Sequence, residues 1–246
     1  MILVSSKYCS VRMLAAGILG FLLAGCVSGY EVTSSPAISV TRGLFAGGAF
    51  AGGFECPWIL TTRGQLDLSA PDRWQLATDP VALIDNVGKV VARSGDWIEV
   101  TGPGDVVGES MCSPESPIVA DEIVRLSTAN GARAGEFEAI GCGVLTSLSG
   151  DLDRLDGLDA SQANEQPWVL DSIEARAKAS LEAISAASTA EPGDHSVLTE
   201  ALPTLRKIAS AISAMSRNPQ SIGGLRSRIR SLLELVERTR GQFHCS

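Results

Sequence analysis

Gly88-Lys89-Val90-Val91-Ala92-Arg93-Ser94-Gly95-Asp96-Trp97-Ile98-Glu99-Val100-Thr101-Gly102 reads as two short strands around a turn. Val90-Val91-Ala92 and Trp97-Ile98-Glu99-Val100-Thr101 carry the β-branched and aromatic residues that suit a pleated surface. Ser94-Gly95-Asp96 between them is a cluster of turn formers. The stretch predicts a β-hairpin.

The same punctuation continues outward in both directions. Trp58 and Leu60, then Leu66 and Leu68, flank a turn at Arg63-Gly64, and Pro71-Asp72-Arg73 signals another turn before Trp74. Val81, Leu83 and Ile84 lead into Asp85-Asn86-Val87-Gly88, a hairpin connection. Gly102-Pro103-Gly104 closes the quoted stretch, and Ile118-Val119-Ala120 with Ile123-Val124 supplies the last β-rich residues. Several short strands at this spacing predict a small antiparallel barrel or sandwich over residues 56–141. A glycine-bounded strand, Gly95-Asp96 and a second strand ending in Val100-Thr101-Gly102 resemble the central hairpin of oligonucleotide/oligosaccharide-binding-like (OB-like) barrels. The resemblance spans about a third of the chain and bears on fold more than on function.

After Gly141 the apolar period changes from two to 3.6. Leu170, Ile173, Ala177, Leu181 and Ile184 form one stripe, with Glu174 and Lys178 placed to pair on the solvent side. Leu198, Leu202, Leu205, Ile208, Ile212 and Met215 form a second, which Pro203 either starts or kinks. Asn218-Pro219 begins a third, carried by Ile222, Leu225, Ile229, Leu232 and Val236, and a shorter helix is expected near Val144 to Leu158. The predicted fold class is therefore α+β, a small OB-like antiparallel barrel followed by an antiparallel helical bundle over residues 142–246.

The amino terminus has the layout of an export signal. Lys7 and Arg12 precede an apolar run from Met13 to Ala24, which is too short for a spanning helix of about 20 residues. It closes on Leu23-Ala24-Gly25-Cys26, which resembles the lipobox of bacterial lipoproteins. The resemblance implies that residues 1–25 are a signal peptide removed before Cys26. It also implies a diacylglycerol on the Cys26 thiol and an acylated amino group, so the chain meets a membrane through its lipid. Two or three acyl chains anchor stably at about 0.8 kcal/mol per buried methylene. Val27 stands where an Asp favours retention at the inner membrane, so the outer membrane is expected in a two-membrane cell. Residues 26–55, rich in Ser, Gly and Ala, read as a flexible tether roughly 30 Å in span. Phe45, Phe50 and Phe54 within it are read as linker in preference to resting on the membrane or pairing as a first strand.

Loss of the signal takes the formal charge from −8 to −10, because it removes Lys7 and Arg12 and no acid. That balance argues against nucleic acid as a partner, since phosphate backbones are gripped by clustered cations. Cys56, Cys112, Cys142 and Cys245 remain, an even number in an oxidising compartment, so two disulfides are expected. Of the three possible pairings, Cys56–Cys112 within the strand region and Cys142–Cys245 from the junction to the chain end are favoured.

Catalytic patterns are not found. His195 sits in a turn and His244 beside Cys245, and no nucleophile elbow, zinc-protease helix or phosphate loop is present. Asp151-Leu152-Asp153-Arg154-Leu155-Asp156-Gly157 misses the spacing of a calcium loop, and its leucines fit a helix face. No catalytic residue, metal or cofactor is assigned. Trp58, Trp74 and Trp97 are candidate stacking platforms for a glycan, although core packing is the commoner fate of tryptophan. Arg226, Arg228 and Arg230 read as a solvated face balanced by Glu234 and Glu237. The functional expectation is a membrane-anchored, non-catalytic envelope lipoprotein with a protein partner, the alternative being a binder of peptidoglycan fragments. Oligomeric state has no signature in the sequence.

Overall fold

The computed structural model describes residues 38–50, 54–69, 73–105, 112, 117–127, 136–158, 166–190, 196–217, 222–242 and 245. The expected signal peptide and Cys26 lie outside the described residues, as do His195 and His244. Among the described residues, ten strands come first: β1 (Ser39–Phe50), β2 (Phe54–Thr61), β3 (Gly64–Ser69), β4 (Trp74–Thr78), β5 (Val81–Asp85), β6 (Val90–Arg93), β7 (Trp97–Gly102), β8 (Gly104–Asp105), β9 (Ile118–Val119) and β10 (Glu122–Arg125). Four helices follow: α1 (Glu136–Asp156), α2 (Gln166–Ala190), α3 (Ser196–Arg217) and α4 (Ile222–Gln242).

The class is α+β, and among the described residues neither sheet closes into the expected OB-like barrel. One sheet runs β10-β7-β1-β2-β3-β9-β8, and a second is the meander β4-β5-β6. The quoted stretch is not a hairpin. Its first strand, β6, belongs to the small sheet and its second, β7, pairs with β1 and β10 in the large one. The chain changes sheets at Ser94-Gly95-Asp96, where Asp96 N–H donates to the Arg93 carbonyl and Gly95 N–H to the Phe45 carbonyl. Gly95 sits at φ +87° with a Cβ position 2.7 Å from Ala186 of α2, so a side chain would be strained and would collide. A corner between packed sheets and a hairpin turn use the same residues, which is why the two look alike in sequence. The expected connections at Arg63-Gly64 and Asp85–Gly88 are true hairpins, β2–β3 and β5–β6.

The expected tether over residues 26–55 is corrected by β1, which lies between β7 and β2 in the large sheet. Leu44 and Ala46 face the helices while Phe45 faces the small sheet, all three fully buried. A strand covered on both faces shows no alternation of polar and apolar residues. Its glycine serves close approach instead of flexibility, since a Cβ on Gly47 would stand 2.7 Å from Leu76 Cδ1.

Residues 56–141 and 142–246, which the change of period reads as two domains or as segregated halves of one α+β fold, share one core within the compact unit Pro36–Ser246. α2 rests on β1 through Ala175, Ala179 and Ala183, and α1 covers β2 and β3. Of the expected bundle, α1 and α2 thus cover the sheet, while α3 packs on α2, and α4 on α1 and α3. Pro203 lies inside α3, which begins at Ser196. Both favoured disulfides are formed: Cys56–Cys112 and Cys142–Cys245, with Cα separations of 5.6 and 5.5 Å. They join residues 56 and 103 positions apart, loops whose closure stabilises by about 4–5 kcal/mol each in the chain-entropy treatment.

Candidate functional site

The tryptophans divide. Trp58 is fully buried and Trp97 nearly so, its ring edge-to-face with Phe137 at 5.2 Å. The stacking role considered for these two is corrected, because neither offers a ring face to a ligand. Trp74 is half-buried and packs against the core between the sheets. The acidic run Asp151–Asp156 is helical, the end of α1, and not a loop. Arg228 and Arg230 are exposed, as expected of a solvated face, but the partners of the cluster differ. Arg226 donates to the Leu158 carbonyl at 3.0 Å and Arg230 approaches Asp156 at 3.8 Å, two cations at the C-terminal end of α1. Glu237 pairs with Arg240 instead.

The densest polar chemistry is internal and was not singled out from the sequence. On β3, Leu66 and Leu68 face the small sheet, so Gln65 and Asp67 must face the helices. There α2 supplies Arg176, whose Nη1 donates to both carboxylate oxygens of Asp151 at 2.8 and 2.7 Å. Its Nη2 donates to the Gln65 carbonyl at 3.2 Å. Ser180 Oγ donates to Gln65 Oε1 at 3.0 Å, and the Gln65 N–H donates to Ser147 Oγ of α1 at 2.9 Å. One guanidinium thus ties β3, α1 and α2 together. Burial raises the Asp67 carboxyl to about 7, against the Arg176 charge and the Leu68 amide, which both lower it. Two carboxylates share one cation in the interior, and a proton on Asp67 lowers the cost of the surplus charge. With Asp67 and Arg176 only 3 and 1 % exposed, this is a structural lock, closed to substrates. The available signal was a pair of polar residues alternating with Leu66 and Leu68, and an arginine inside an alanine-rich stripe.

Glu174 behaves differently. Burial would raise it, but hydrogen bonds from Lys178, Ser213 and Ser216 outweigh that and hold it below the usual glutamate range. It joins α2 to α3 through Ser213 Oγ at 2.6 Å.

Depressions among the described residues include two on the surface. One, of about 520 Å³, runs between α3 and α4 over Ala211, Met215, Leu232 and Leu235, with Lys207 and Arg238 against Glu234 at its rim. The other, of about 420 Å³, lies at one end of the large sheet between Ser39–Arg42 of β1 and Thr61–Arg63 at the β2–β3 turn. Two arginines and several hydroxyls line it among the described residues. Among the described residues, no group of three or more His, Cys, Asp or Glu could hold a metal, and no helix is long and apolar enough to cross a membrane. Neither depression contains Asp67 or Glu174, the groups whose proton affinities are displaced. Comparison with protein families, with curated proteins and with solved structures finds no match to this chain.

Proposed function

We propose that this protein is an exported lipoprotein, held on a membrane by lipid at Cys26, whose folded part is a non-catalytic binding module. The observation that carries the reading is the pair of disulfides, which suit an oxidising compartment outside the cytoplasm. Leu23-Ala24-Gly25-Cys26 then supplies the means of attachment. Ile38 follows Cys26 by 12 residues, at most about 40 Å of extended chain, so the end of the fold where β1 begins would work close to the lipid surface. The binding role rests on the surface depressions together with a polar core committed to structure. In a two-membrane cell, Val27 favours the outer membrane.

Fractionation tests the anchor. The wild-type chain should sediment with membranes and partition into detergent, while Cys26→Ala should appear in the soluble exported fraction with both disulfides intact. Equal partitioning of the two would remove the anchor from the account.

A further inference from the structure

Charge is unevenly placed along the chain. Residues 196–242, which hold α3 and α4, carry eight Lys and Arg against three acids, whereas residues 26–195 carry ten against 25. An acidic protein therefore has one cationic layer. That layer is the outer pair of helices, since α1 and α2 cover the sheet and α3 and α4 pack on them. The groove of about 520 Å³ runs between α3 and α4 on this layer.

The floor of the groove is apolar and its rim is charged. Met215 and Leu232 are buried in the floor, and Leu235 packs half-buried against the same core. Ala214 stands exposed at the rim, small enough for another backbone to come close. Lys207 and Arg238 are exposed there too, with Glu234 as the acid among them. Arg228 also lines the groove but is engaged in a contact of its own within the chain. The lining extends from Lys207 to Met215 on α3 and from Ser227 to Arg238 on α4, about 12 and 17 Å of helix.

We infer that this groove takes an acidic amphipathic helix from a partner protein. A helix of about three turns matches the length of the lining. Its apolar side chains at i, i+4 and i+7 lie on Met215, Leu232 and Leu235, the mode by which helices dock in grooves. Carboxylates flanking that stripe meet Lys207 and Arg238, and the surplus of cations on α3 and α4 steers such a segment to this layer. A bilayer suits the face less well, because none of the exposed large apolar side chains among the described residues lies on α3 or α4 to insert into it. A second copy docked through the same face would set cation against cation.

This site names the partner class of the binding module and rests on that reading, but not on the lipid anchor, which fractionation tests independently. The test uses the full chain carrying Cys26→Ala, which keeps lipid and detergent out of the groove. Its probes are three fluorescein-labelled peptides followed by anisotropy. The first is Ser-Glu-Glu-Leu-Ala-Glu-Gln-Leu-Glu-Ala-Leu-Glu-Gln-Ala. The second has Lys for every Glu, and the third has Pro for the first Gln, which breaks the helix and keeps the charge. The Glu peptide should bind with a Kd on the order of 10–100 µM, and the other two at least about tenfold more weakly. Lys207→Glu and Arg238→Glu should each weaken it about fivefold. Lys89→Glu, the same charge change on the exposed β5–β6 hairpin beyond the sheet, should weaken it less than about twofold. Ala214→Trp fills the groove from an exposed position and should abolish binding, with circular dichroism and thermal unfolding unchanged. No binding of the Glu peptide at about 1 mM, equal binding of the Lys peptide, or full binding by Ala214→Trp overturns the proposal. Capture by phosphatidylglycerol vesicles in place of the peptide would give the face to a lipid surface. A dimer that Ala214→Trp dissolves would give it to a second copy, and either result overturns the proposal as well.

Discussion

The two faces of the central sheet are held in different ways. Towards the small sheet, Phe45, Ile59, Leu68, Ile98 and Val100 meet Leu76, Leu83 and Ala92 in a wholly apolar layer. Towards the helices, Leu44, Trp58, Leu60 and Trp97 provide the same kind of contact, but Gln65, Asp67, Arg176 and Asp151 are set into it. Apolar packing is nondirectional and tolerates sliding, whereas a guanidinium shared by a carboxylate and a strand carbonyl fits one placement of α1 and α2 over β3. The contrast suggests that the sandwich face provides stability and the helical face provides register.

The largest effect should come from removing the buried cation Arg176. Arg176→Ala removes the guanidinium that donates to Asp151 and lowers the Asp67 carboxyl, and should cost about 3–5 kcal/mol in urea unfolding at pH 7. Removing the cation also pushes the Asp67 carboxyl further up, so the loss should shrink at pH 5. Next, Leu83→Ala on the sandwich face opens a cavity and should cost about 3 kcal/mol, equally at pH 5 and pH 8. A pH-dependent Leu83→Ala, or a pH-independent Arg176→Ala, would erase the distinction between the faces.

The smallest change sharpens it most. Asp67 has a raised folded value, about 7 against 3.8 for the ordinary group, so the folded chain binds the proton more tightly than the unfolded one. Its contribution is most favourable below about pH 4, falls as pH rises through the window to about 7, and is level above it. The slope approaches about 1.4 kcal/mol per pH unit at its steepest, for a total of about 2–4 kcal/mol. Asp67→Asn should flatten this dependence and overtake the wild type in stability above pH 7. Parallel pH profiles for the two chains would show that Asp67 is not the group that holds the proton.

Much of this fold was legible because local patterns and tertiary burial agree. Leu66/Leu68 and Val81/Leu83 alternate beside true hairpins, and the stripes through Ile173, Ile208 and Ile229 mark helices whose apolar residues are buried. β1 was not legible, because a strand buried on both faces and built from Gly, Ala and Phe has no period to read. The corner at Gly95 was misread as a hairpin, since turn chemistry reports that the chain bends and not which sheet it enters. Gln65, Asp67 and Arg176 escaped for a related reason. Their significance lies in Arg176 meeting Gln65 and Asp67 from 109 residues or more along the chain. The cysteine pairing was the exception, where compartment and region alone favoured the observed pairs.

The most direct test of the account is the intact mass of the protein extracted from membranes, measured with and without reductant. The expected result is a chain beginning at Cys26, heavier by a diacylglycerol and amide-linked acyl chain, that gains the mass of four hydrogens on reduction of Cys56–Cys112 and Cys142–Cys245. A chain that retains residues 1–25, or one cleaved at Cys26 without lipid, would contradict the anchor. Free thiols before reduction would contradict the oxidising compartment on which the proposed function rests.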